Sequence, residues 1–130
     1  MYNEILKTQT TAVTNYVNNC VELCHGLARE SGWWDGVEVN APFVIPAKLC
    51  LVHSEVTEAM EGARKDLMDD HLPHRKMVEV ELADAMIRIM DLAGAMQLDL
   101  GGAMVEKLLY NTQRSDHKVD NRAKTNGKKF

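Results

Sequence analysis

Residues 46–98 read PAKLCLVHSEVTEAMEGARKDLMDDHLPHRKMVEVELADAMIRIMDLAGAMQL, and this stretch decides the fold. From Leu49 onward, Val52, Val56, Met60, Ala63 and Leu67 recur at intervals of three and four, the apolar stripe of an amphipathic helix. Pro46 suits its first turn, where a missing N–H has no bond to lose. A second helix is expected from about Arg75 to Met96. It is apolar on nearly every side, and only Glu81, Asp84, Arg88 and Asp91 form a continuous polar stripe. Asp69 to His74 reads as the turn between the two helices.

The acids of this stretch come as two pairs, Glu55/Glu58 and Glu81/Asp84. Residues three apart on a helix share a face, with Cβ atoms about 5–6 Å apart. Glu58/Glu81 and Glu55/Asp84 are also equidistant from one point, between Asp69 and Asp70. An antiparallel hairpin therefore gathers four carboxylates at one level, roughly 20 Å from the turn at about 1.5 Å per residue. Such a group repels itself unless a hard cation neutralises it, and an oxygen-only set selects Mg²⁺ or Mn²⁺. Paired acids also arise by chance on solvated helices, but there they are interspersed with Lys and Arg. Here Glu81 and Asp84 have only Arg88 nearby, while Glu61 is a further candidate ligand one step beyond Glu58.

A chain of 130 residues is expected to form one domain with one core. Its 45 % apolar and 26 % charged residues are those of a globular protein. No apolar run is long enough for a membrane span, and no basic start leads into an apolar stretch, so a cytoplasmic location without membrane association is expected. Cys20, Cys24 and Cys50 have no disulfide-framework or zinc-knuckle spacing, and read as reduced thiols in the core. The formal charge of −4 is uneven: five cations against Asp120 make His117 to Phe130 +4, which leaves −8 on the rest. Residues 1–114 accordingly read as the domain and 115–130 as a basic tail, either solvated or able to close over a phosphate-rich ligand.

Upstream, one helix is expected from about Asn3, as its cap, to Glu30. Ser31 to Phe43 reads as a loop that carries Trp33 and Trp34, either a stacking platform or an apolar plug. Downstream, Asp99 can cap a last helix whose first turn Gly101 and Gly102 weaken. Lys107, Asn111 and Arg114 share one face of it and could donate to phosphate oxygens or simply complement the helix dipole. With no alternating strand pattern, the fold class is all-α: a helical bundle with a central antiparallel helix hairpin. Oligomerisation is expected to complete it, because a helix apolar all round needs more cover than one short chain supplies.

The order His25, Ser31-Gly32-Trp33-Trp34-Asp35, Lys48-Leu49, His53-Ser54-Glu55-Val56-Thr57-Glu58, Glu81-Leu82-Ala83-Asp84 with Ile87-Arg88, then Lys107, Tyr110-Asn111 and Arg114 resembles the MazG-like all-α nucleoside triphosphate pyrophosphohydrolases. The resemblance spans nearly the whole chain. It implies cleavage of a nucleoside triphosphate to the monophosphate and pyrophosphate, in a homodimer or homotetramer. It also implies that Glu55, Glu58, Glu81 and Asp84 hold two or more Mg²⁺ or Mn²⁺ ions, with Glu58 or Glu55 handling the attacking water. Lys107, Asn111, Arg114 and Lys48 would then grip phosphates, and His25, Trp33 and Trp34 would approach the base. Two alternatives stay open: a dUTPase or dCTPase on the same scaffold, and a non-catalytic helical dimer whose basic tail binds nucleic acid or protein. Under the enzyme reading nucleic acid is not expected as a partner.

Overall fold

A computed structural model describes residues 1–129. They form six α-helices: α1 (Tyr2–Thr8), α2 (Thr10–Glu30), α3 (Val44–Lys65), α4 (Met77–Ala95), α5 (Leu100–Gln113) and α6 (Val119–Arg122), with a 3₁₀ turn at Ser115–His117. Among the described residues there is no strand beyond one isolated bridge, Met68 with Lys76, so the all-α class holds. The single helix expected upstream is two, and Asn3 lies inside α1, whose N-cap is Met1. The Thr8 hydroxyl donates to the carbonyls of Glu4 and Ile5 at 2.9 and 3.1 Å, a back-bond that loosens helices, and Gln9 follows at φ −119°. No helix among the described residues is long and apolar enough to cross a membrane.

The chain divides into two compact units, Met1–Asn18 with Asp99–Phe130, and Asn19–Leu98. In the second, α3 packs on α4. Pro46 is the third residue of α3, still in its first turn, and α3 ends on Asp66 in the left-handed region at φ 50°. The connection is held by its own backbone and one carboxylate. Asp69 Oδ2 accepts from the N–H groups of His71 and Leu72 at 2.9 and 2.6 Å, while the Asp69 N–H donates to Arg75 O and the Met77 N–H to Leu67 O. Gly62 lies so close to α4 that a Cβ there would sit 2.9 Å from Met77 Cβ. α4 begins at Met77 rather than Arg75 because Lys76, its N-cap, is extended at ψ 137°.

In the first unit Asp99 caps α5 as the sequence predicts, accepting from the Gly102 N–H at 2.9 Å. Asn18 completes the cap: its side-chain amide donates to Asp99 at 2.8 Å and its carbonyl accepts from the Gly101 N–H at 2.8 Å. These bonds hold the Asp99 carboxyl below the usual range, Asn18 contributing most. Gly101 is there for proximity, since a Cβ would fall 2.3 Å from Thr14 O.

The buried apolar residues are few and mostly small: Val21, Ala59, Ala85, Leu92, Ala93 and Val105. Leu49, Val56 and Met60 on α3, and Leu82, Met86 and Ile89 on α4, are exposed. Cys20 and Cys50 are exposed too, which corrects the expectation that the thiols pack in the core.

Candidate functional site

Two helices carry the acids to one place. Glu55 from α3 and Glu81 and Asp84 from α4 each offer an oxygen within 4.8 Å of the others. Glu55 and Glu81 are only 7 % and 8 % exposed, so these are not surface acids that water alone can satisfy. The strain appears as protonation. Burial, then a hydrogen bond shared with Glu55, then the charges of Glu58, Glu55 and Asp84 push the Glu81 carboxyl up to about 7. Burial and the Glu55 charge also raise Asp84, against the pull of Arg88. Glu58 is exposed and lies outside the tight triad, although its charge reaches Glu81.

The donor set fits a hard divalent ion. All three groups are carboxylates, one holds a proton that a metal would displace, and a cation already stands against them. That cation is Arg88, whose Nε donates to Glu55.

A second cluster forms around Asp91, on the same stripe of α4. Asp91 is 9 % exposed. Oδ1 accepts from Trp34 Nε1 at 2.8 Å and pairs with His25 Nδ1 at 2.9 Å, and Lys48 Nζ lies 3.6 Å from Oδ2. The carboxylate accepts, so Nδ1 is the protonated ring nitrogen in this bond. The His25 and Trp34 rings meet edge to face at 5.6 Å, and Lys48 sits 4.2 Å above the indole. Gly94 makes this possible: a Cβ there would lie 2.4 Å from His25 Cβ. Beside Trp34 opens a recess of about 460 Å³, lined also by Gly26, Arg29, Glu30 and Asp35.

The expected site residues therefore sort differently from the sequence reading. Lys48, expected at phosphate, stands beside Asp91 and over the Trp34 ring. Trp33 is 72 % exposed and makes no part of the Asp91 cluster, so the two tryptophans are not equivalent. Lys107, Asn111 and Arg114 belong to the first unit. There Lys107 stands 4.7 Å over the Tyr110 ring and Arg114 makes a forked pair with Asp116 at 3.0 and 2.6 Å. The carbonyl oxygen of the Asn111 side chain is buried without a hydrogen-bond partner, a group that a ligand or an amide flip would satisfy. The sequence reading missed Asp91 as a site residue. Its place on the polar stripe was the available signal, but the stripe does not reveal what comes to meet it.

A scan against protein-family models and searches of curated proteins and of solved structures return no match to this chain.

Proposed function

We propose that this chain is a metal-dependent nucleoside triphosphate pyrophosphohydrolase, which converts a nucleoside or deoxynucleoside triphosphate to the monophosphate and pyrophosphate. The observation that carries the reading is the meeting of buried Glu55 and Glu81 with half-buried Asp84 from two helices, with an order of motifs that resembles the MazG-like enzymes. Bound Mg²⁺ or Mn²⁺, two or more per site, would supply an acidified water and neutralise charge on the attacked phosphate.

The chain's own residues do the rest. Glu55, Glu81 and Asp84 present oxygens from a rigid helix pair. Glu58, exposed beside them, keeps a carboxylate free to orient the water and accept its proton. Lys107, Asn111 and Arg114 donate to phosphate oxygens. α3 and α4 act as an antiparallel hairpin whose exposed apolar faces are covered by one or three further copies, in the cytoplasm.

A second reading is favoured by the Asp91 cluster: a base-selective enzyme, such as a dUTPase or dCTPase. His25 and Trp34, fixed by one buried carboxylate beside a recess, are more ordered than a general nucleotide hydrolase requires.

The test is pyrophosphate release from each common NTP and dNTP with Mg²⁺, with Mn²⁺ and with chelator. The expected outcome is cation-dependent formation of monophosphate and pyrophosphate, abolished by Glu58→Gln. A flat ranking of bases supports the general enzyme and a steep one the selective enzyme. Turnover that survives chelation removes the metal assignment, and turnover that survives Glu58→Gln removes Glu58 from the handling of the water.

A further inference from the structure

The residue that closes the acidic cluster is Arg88. It stands one turn beyond Asp84 on the polar face of α4 and reaches across to α3, where its Nε donates to Glu55. The two partners differ in depth, since the Glu55 side chain is 9 % exposed and that of Arg88 42 %. One edge of the guanidinium thus touches the buried acid, while the Arg88 side chain as a whole stays in part open to solvent. No other hydrogen bond or ion pair of Arg88 is present among the described residues. A cation that served only to neutralise three acids would sit among them with its donors spent. Arg88 instead holds Glu55 by a single N–H and keeps its terminal amino groups uncommitted.

A guanidinium is a planar fork with five N–H donors, and a phosphate oxygen is its best-matched partner. We infer that Arg88 is a phosphate-binding residue of the proposed active site: Nε stays on Glu55 and fixes the plane, and the free terminal edge donates to a non-bridging oxygen of a phosphate held over the acids. The inference rests on the metal reading above and deepens it, by giving the acid-bearing unit its own phosphate donor. Lys48, the other cation of this unit expected at phosphate, stands at Asp91 and over the Trp34 indole. Anchoring through Glu55 also links the two halves of the task. The carboxylate that would ligate the metal and the guanidinium that would grip the phosphate orient one another.

Two binding measurements on the full chain separate the inference from its premise. Free Mn²⁺ is followed by electron paramagnetic resonance without any nucleotide, and inorganic pyrophosphate is then titrated calorimetrically into the Mn²⁺-loaded protein. Arg88→Gln is expected to bind Mn²⁺ at least as tightly as the parent chain but pyrophosphate about 10- to 100-fold more weakly, the loss of one charge-assisted contact. Since that variant leaves a buried carboxylate without its partner, Arg88→Lys is the companion. Its single ammonium can neutralise Glu55 but cannot also offer a fixed second edge, so it is expected to fold, bind Mn²⁺ and still lose most of the pyrophosphate affinity. Pyrophosphate affinity within about 2-fold of the parent in either variant, with Mn²⁺ bound, overturns the role of Arg88 and leaves the metal reading standing. A parent chain that binds no Mn²⁺ overturns both.

Discussion

At the scale of single residues, Glu81 and Asp91 are both buried acids and have opposite consequences. The Glu81 carboxyl titrates near 7 in the folded chain against 4.5 for an ordinary glutamate. Between these values the folded state holds a proton that the unfolded state has released, so stability is highest on the acid side and falls as pH rises through the window. Thermal melts of the metal-free chain should show a lower Tm at pH 8 than at pH 5.5. Added Mn²⁺ is expected to raise Tm more at pH 8, where no proton has to be displaced. A Tm that rises with pH in chelator contradicts the protonated cluster. Asp91, by contrast, accepts from His25 and Trp34 and forms an ion pair with Lys48. Asp91→Ala leaves them stranded and is expected to lose about 3 kcal/mol or more in urea unfolding, with Asp91→Asn milder because an acceptor remains. The triad was legible in the sequence because helical spacing pairs Glu81 with Asp84 and the expected hairpin brings Glu55 toward them, and one oxygen of each lies within 4.8 Å of the others. The Asp91 cluster was not, since His25, Trp34 and Lys48 come from another helix, a loop and a helix start that no periodicity connects. Glu58 has the spacing to join the triad, yet the side chain lies on the exposed flank of α3, and residue spacing alone does not distinguish flank from centre.

At the scale of elements, the glycines show which helices approach closely. Gly62 and Gly101 face neighbours that leave no room for a methyl group, whereas nothing lies within 4 Å of a Cβ at Gly26 in α2. Gly62→Ala and Gly101→Ala should each lose about 1–3 kcal/mol through overpacking, while Gly26→Ala should gain up to about 1 kcal/mol from helix propensity alone. Chemical denaturation of the three variants reads out both signs, and a neutral Gly101→Ala contradicts the close packing of α5 on the Thr14 backbone. The sequence marked Gly101 and Gly102 as weakening α5, which is correct locally, but the compensating contact is long-range and carries no local signal. The cap at Asp99 was legible for the opposite reason: it is a side chain acting three residues along its own chain. The break at Gln9 escaped notice because Thr8 fits a helix and disturbs it only through the direction its hydroxyl takes.

At the scale of the whole molecule, the apolar residues left outside the core are the main fact. Leu82, Met86 and Ile89 follow one face of α4, with Met86 56 % exposed, and the proposed self-association would cover them. Met86→Glu is expected to shift sedimentation of the chain toward monomer and to make Tm insensitive to protein concentration, whereas the parent should melt higher when concentrated. Identical sedimentation of the two proteins argues against self-association through this face. All-round apolarity of α4 was readable from the residue pattern, but the division into two compact units was not, because the first unit draws on segments far apart in the chain. That division has a consequence in time. Asn18 and the Asp99 cap it completes are separated by 81 positions, which at roughly 5–20 residues per second is a delay of about 4–16 seconds during synthesis. The acid-bearing unit is continuous and can form while the ribosome is still working, but Asn18 on α2 must wait for Asp99 to emerge before the cap is complete.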